Sequence, residues 1–388
     1  MSNLIPSLET FAKGTAATAA GLGTLGMGLL YYGQNFLIYP SAFPAGAREN
    51  VPVPSDFSIP YTDLELTTRD NIKIKAFLLL QRLVLNMSET PVEKDNALSD
   101  EEFAATRPTI LMFHGNGGNH GHRIPLGKIF FGKMRCNVIM LSYRGYGHSE
   151  GTPSEKGLQT DAQTVLDYVH AHPLLARTPI ILYGQSIGGA VAIDLAYRNP
   201  QMITALIIEN TFMSLPRLIP MAMPWLGPFS FLCHQKWESY LKAPKLPPDM
   251  HVLMLGGARD EVVPRSQMHE LWAIIRNRGR PPTSRAAAGR SPEKAQRGTV
   301  NKEEQREEEG DDDDDDDHGG DRGGDDGRPG PNNVKVDPRI LTDGGNTYIE
   351  FGAGTHNDTC IQPGYWSAVA EFVAGLSPKA KVIASLSI

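Results

Sequence analysis

Between Pro179 and Ala196 the chain passes from the apolar run Pro179-Ile180-Ile181-Leu182-Tyr183, through Gly184-Gln185-Ser186-Ile187-Gly188-Gly189, into Ala190-Val191-Ala192-Ile193-Asp194-Leu195-Ala196. The first part reads as a buried strand and the last as a helix. The turn between them must be sharp. Strand and helix backbones come so close there that a Cβ at 184 or 188 would clash, which is why glycine stands at both. A serine at the apex of such a turn has a strained backbone that lifts its Oγ clear of the sheet edge. The geometry is that of a nucleophile presented to solvent.

A serine hydroxyl is a poor nucleophile near neutral pH and needs a base to take its proton. An acid and a histidine are therefore expected later in the chain, each on a loop leaving a strand. Val252-Leu253-Met254-Leu255-Gly256-Gly257 reads as a buried strand, with Ala258-Arg259-Asp260-Glu261-Val262-Val263-Pro264 leaving it. Tyr348-Ile349-Glu350-Phe351 is another, followed by Gly352-Ala353-Gly354-Thr355-His356-Asn357-Asp358. Asp260 is the expected acid, holding the imidazole in one tautomer, and His356 the expected general base. The order Ser, Asp, His is that of α/β-hydrolases, not of chymotrypsin-like or subtilisin-like proteases. Taken singly, each residue has a plainer role: Ser186 as a helix N-cap, Asp260 as a turn or cap residue, His356 as a surface histidine. Their joint order and placement favour the triad.

Thr109-Ile110-Leu111-Met112-Phe113 is a further apolar run, of the kind buried on both sheet faces. It opens into His114-Gly115-Asn116-Gly117-Gly118-Asn119. The backbone N–H groups of Asn116 and of Ile187 are the expected oxyanion donors. His114 reads as a ring bracing this loop, since His356 occupies the position of the base. Strand-like runs at 62–67, 72–80, 109–113, 137–141, 180–183, 204–209, 252–256 and 347–351 alternate in their later part with helical stretches. Those stretches lie near 123–133, 156–171, 188–198, 265–277 and 363–376. This pattern predicts a mostly parallel sheet covered on both faces, the α/β class.

The segments around His114–Asn119, Ser142-Tyr143-Arg144-Gly145-Tyr146-Gly147-His148-Ser149-Glu150-Gly151 and Tyr183–Gly189 resemble α/β-hydrolases of the bud-emergence (Bem forty-six-like) subgroup. The resemblance runs from about Phe36 to the C-terminus, insertions aside. It implies an α/β-hydrolase fold of eight strands, a triad of Ser186, Asp260 and His356, and a membrane-bound serine hydrolase. Neighbouring members are linked to removal of fatty acyl groups from proteins.

Three stretches exceed a minimal domain. Residues 1–40 hold a charge-free run from Gly14 with Tyr31, Tyr32, Phe36 and Tyr39 at one end, expected as a single-pass transmembrane anchor. A cleaved signal peptide or an alanine-rich packing helix is the alternative. An endoplasmic reticulum or plasma membrane location follows from the anchor reading. Within a hydrolase domain of 41–280 and 339–388, residues from about 211 to 245 are Met- and Pro-rich. They are expected as a cap of short kinked pieces lining an acyl pocket, with Met221 as the side chain to test. Residues 281–338 are expected as a disordered charged insertion. Its acidic part, 301–328, carries −11, so the chain's net −7 leaves +4 elsewhere and no acidic enzyme surface is inferred. A protein partner docking on the acidic loop is the sharper reading of that segment, a tolerated solvated loop the plainer one.

Other signals exclude classes of function. Cys136, Cys233 and Cys360 are irregularly spaced and make neither a disulfide framework nor a zinc site. No metal or organic cofactor is expected. No phosphate loop is present, and the basic stretch near 276–297 lacks the aromatics of a nucleic-acid surface. The expectation is a membrane-associated hydrolase of acyl esters or thioesters, on lipids or S-acylated proteins. A serine peptidase of the same fold and a non-catalytic membrane scaffold stand as alternatives.

Overall fold

A computed structural model describes residues 8–84, 98–280 and 338–376. Met1–Gly279 and Val336–Ile388 form one compact unit; the second, Arg280–Lys335, lies outside the described residues except for Arg280. The expected disorder of the charged insertion therefore falls on residues that are not described, Pro338 apart.

The strands are β1 (Thr62–Thr67), β2 (Lys73–Leu79), β3 (Thr109–Phe113), β4 (Asn137–Ser142), β5 (Ile180–Gln185), β6 (Ala205–Glu209), β7 (His251–Gly257), β8 (Arg339–Asp343) and β9 (Asn346–Phe351). They form one sheet in the order β1-β2-β4-β3-β5-β6-β7-β9-β8. From β4 through β9 neighbours run parallel, and β1, β2 and β8 are antiparallel additions at the two edges. The central strands read as unbroken apolar runs because both faces are covered. The sheet thus has nine strands, one more than expected. Arg339-Ile340-Leu341-Thr342-Asp343 folds back on β9 through the tight turn at Gly344-Gly345, a pairing whose Asp-Gly signal abuts the charged insertion.

The main helices are α1 (Leu8–Ile38), α2 (Asp100–Ala105), α3 (Ile124–Gly132), α4 (Glu155–Ala171), α5 (Ile187–Arg198), α6 (Leu215–Ala222), α7 (Ser239–Lys242), α8 (Arg265–Asn277) and α9 (Tyr365–Gly375). Helices α4, α5 and α8 bury Leu158, Val165, Val191, Leu195, Leu271 and Ile275 on one sheet face. Helices α3 and α9 bury Ile124, Phe130, Tyr365 and Val369 on the other. Helix α2 was not anticipated, although Ser99 and Glu102 form its capping box.

The N-terminal helix exists, yet the expected membrane span does not follow. Among the described residues no helix is long and apolar enough to cross a membrane. Between Ala16 and Tyr32 most positions are glycine, alanine or threonine, which add little apolar surface. The hydroxyls of Thr15, Thr18 and Thr24 satisfy themselves on carbonyls four residues back in the same helix. Leu22, Leu25, Leu29, Tyr32 and Phe36, spaced three and four apart, form an exposed stripe on one side.

Candidate active site

The turn after β5 places Ser186 at φ 55°, ψ −120°, a region that L-residues rarely occupy. The strain is held from both sides. A Cβ on Gly184 would lie 2.2 Å from the Gly188 carbonyl oxygen, and one on Gly188 would lie 2.1 Å from that of Phe113. Ser186 N–H donates to the Glu209 carbonyl at 2.8 Å, and the Thr211 hydroxyl donates to the Ser186 carbonyl at 2.8 Å. The Ser186 side chain makes no capping bond to α5, so the N-cap role does not describe it.

Asp260 and His356 meet. Asp260 leaves the end of β7, where its Oδ1 accepts from the backbone N–H of Val262 at 2.9 Å and of Val263 at 2.7 Å. His356 Nδ1 lies 2.8 Å from Oδ2 and 3.0 Å from Oδ1 of that carboxylate, with both side chains nearly buried. A carboxylate can only accept, so the neutral ring carries its proton on Nδ1 and leaves Nε2 free to take one. Among the described residues no hydrogen bond joins Ser186 Oγ to the imidazole, and this is the one expected contact that is not formed. Free enzymes commonly close it only when substrate arrives.

Asn116, Ile187 and Ser186 line a single cavity of about 230 Å³. Ile187 is the first residue of α5, so its N–H has no acceptor within the helix. The Asn116 side chain braces its loop, donating to the Ile38 carbonyl and accepting from the Tyr146 hydroxyl. Gly118 N–H donates to Phe43 at 2.7 Å, tying the same loop to the segment after α1. His114 is buried, its Nδ1–H on the Gly115 carbonyl at 2.7 Å and its ring 4.4 Å from that of Tyr143. Burial pushes its pKa down to about 3, so it is a neutral brace.

The cap consists of α6, a short helix with Pro216 in its first turn and Pro220 inside it, a 3₁₀ stretch at Pro224–Leu232, and α7. Leu218, Ile219, Ala222, Met223, Leu226 and Phe229 face the cavity. Met221 does not; its sulfur accepts from Gln267 Nε2 at 3.2 Å on the seam with α8. Methionine 223 takes the place that Met221 was expected to hold. The opposite wall was not anticipated at all: it is α1, through Leu30, Gln34, Leu37 and Ile38.

Two positioning residues also escaped the sequence reading. Asn210 follows β6 at φ 45°, and its Nδ2 donates to the carbonyls of Thr355 and His356 at 3.2 and 3.1 Å and to Thr359 Oγ1 at 3.0 Å. Its Oδ1 accepts from Gly257 N–H at 2.8 Å. Gln185 Nε2 reaches the same His356 carbonyl at 3.1 Å. The only advance signal was a turn-forming Asn at a strand end, which is common everywhere. Beneath the elbow, the Glu209 carboxyl accepts from Tyr183 and Tyr365 hydroxyls at 2.7 and 2.6 Å, and burial raises its pKa. Among the described residues no group of three or more His, Cys, Asp or Glu could hold a metal ion, and the three cysteines are buried and free.

A family model for the alpha/beta hydrolase fold matches residues 108–228. Protein bem46 of Schizosaccharomyces pombe is 44% identical over 266 residues, covering 68% of this chain and 81% of that protein. The chain belongs to the Bem46-like family of α/β-hydrolases. Within that family an uncharacterised membrane protein of Saccharomyces cerevisiae is 30% identical over 352 residues, covering 91% of this chain and 93% of its own. The alpha/beta hydrolase domain-containing protein WAV2 of Arabidopsis thaliana is 32% identical over 266 residues, covering 65% and 79%. Membership gives hydrolysis as the reaction class of this Bem46-like chain.

Proposed function

We propose that this protein is a serine hydrolase that cleaves acyl esters or thioesters through an acyl-enzyme, with Ser186, Asp260 and His356 as its triad. What carries the reading is the Asp260–His356 pair, 2.8 Å apart, whose acid is followed by Val262 and Val263, residues that line the same apolar cavity as the strained Ser186. In this mechanism His356 Nε2 takes the Ser186 proton as Oγ bonds to the acyl carbon. The N–H groups of Asn116 and Ile187 hold the oxyanion. The carbonyl re-forms, and the alcohol or thiol leaves with the proton from His356. Water, deprotonated by the same ring, then attacks the acyl-enzyme and releases the acid and Ser186.

The cavity favours an aliphatic acyl group over a peptide, because twelve of its twenty lining residues are Leu, Ile, Met or Phe and three more are Val or Ala. A fluorophosphonate probe is expected to label the protein, and Ser186→Ala to abolish both labelling and ester turnover. An unlabelled folded protein would sink the proposal in favour of a scaffold.

The same reading places the protein on a membrane surface rather than through it. Supporting this are the exposed stripe on α1, the exposed Trp225 and Phe231 of the cap, and the yeast relative named as a membrane protein. Alkaline carbonate is expected to release the protein from membranes; retention in the pellet would instead favour an integral span.

A further inference from the structure

Resting on that reading, we propose that α1 is the acyl-chain ruler of the site, so that an N-terminal helix sets which straight-chain acyl groups are cleaved. Leu30, Gln34 and Ile38 lie four residues apart on one face of the helix and line the cavity, with Leu37 at its rim. The Ile38 end is the chemical end, because Asn116 of the oxyanion loop donates to the Ile38 carbonyl. Leu30 is eight residues back, about 12 Å along the helix axis. A chain attached at Ser186 therefore passes Ile38 first and meets Leu30 last, between α1 and the cap residues Leu218, Ile219 and Met223.

Gln34 makes this wall both fixed and dry. Its Nε2 donates to the carbonyls of Tyr31 at 2.9 Å and Leu232 at 3.2 Å. Its Oε1 accepts from the backbone N–H of His234 at 2.9 Å and of Gln235 at 3.2 Å. Both N–H groups and both lone pairs are used, so the amide offers an acyl chain no unmet polar atom. The same four bonds set the register of α1 against the end of the cap. Tyr39, in turn, accepts from Trp237 Nε1 at 2.9 Å, pinning the helix exit.

The test is kcat/KM across p-nitrophenyl esters from acetyl to palmitoyl, for the full chain and for Leu30→Trp and Leu30→Ala. Each methylene buried against the wall changes kcat/KM about fourfold. Leu30→Trp is expected to lower the long-to-short ratio at least tenfold, and Leu30→Ala to move the optimum to longer or bulkier chains. Opposite signs separate a ruler from simple destabilisation, which lowers every chain length together. If fluorophosphonate labels Ser186 while both variants keep the wild-type chain-length profile, the ruler is overturned and the serine hydrolase stands. If the wild type neither labels nor turns over any ester, both fall.

Discussion

Asn210 shows how much of the site hangs on one small amide. Replacing it by glycine keeps the left-handed backbone but removes its bonds to Thr355, His356, Thr359 and Gly257. The loop bearing the imidazole is then expected to drift, lowering kcat/KM on the order of 10²-fold, since a displacement near 1 Å costs that much. Asn210→Asp should be worse, because a carboxylate would face two carbonyl oxygens. Steady-state kinetics with circular dichroism checks this; wild-type kcat/KM in Asn210→Gly would mean the loop holds itself. Ser186 could be read from sequence because glycines at fixed offsets have a steric cause that any such turn shares. Asp260 and His356 could be placed because strands precede them. Asn210 could not, since its role arises from residues about 145 positions further on, which no local pattern encodes. Gly188→Ala, whose Cβ would meet the Phe113 carbonyl, is expected to destabilise by about 3 kcal/mol or more, measured by urea unfolding.

At the level of elements, α1 and the cap depend on each other. Gln34→Leu preserves volume but strands the N–H groups of His234 and Gln235 and the carbonyl of Leu232. Where these stay dry the cost is about 1–3 kcal/mol. Limited proteolysis should then cut first within 223–235; an unchanged cleavage pattern would show the cap stands without the helix. The helix itself was legible from its charge-free run. Which face it turns inward was not, because a segment of glycine and alanine has too weak a periodicity to choose one. Its span-like length misled for the same reason: apolar character was spread over residues too small to supply it. Strand β8 was legible in principle, through Asp343-Gly344, but its outward side chains left no buried alternation to reinforce the turn.

Taken whole, the described molecule holds His114 and His120 in its interior, and burial lowers the pKa of both. An unfolded histidine protonates near pH 6.5, while folded His114 resists until about 3. Between those values the unfolded chain binds the extra proton. Stability is therefore complete above pH 6.5 and drains as pH falls toward 3, by about 1.4 kcal/mol per unit for His114. Urea titrations at pH 7, 6 and 5 should reveal this slope, and His114→Gln should flatten it by roughly one histidine's share.

The parallel order of the sheet has a further consequence for synthesis. The groups proposed for the chemistry sit at the carboxyl ends of β3, β5, β7 and β9, and His356 arrives only with the last of these. A ribosome-bound chain halted before Asn346 can pack the elbow and the oxyanion loop, yet it has no imidazole to pair with Asp260. On the proposed mechanism, turnover therefore waits until the chain has been made through His356.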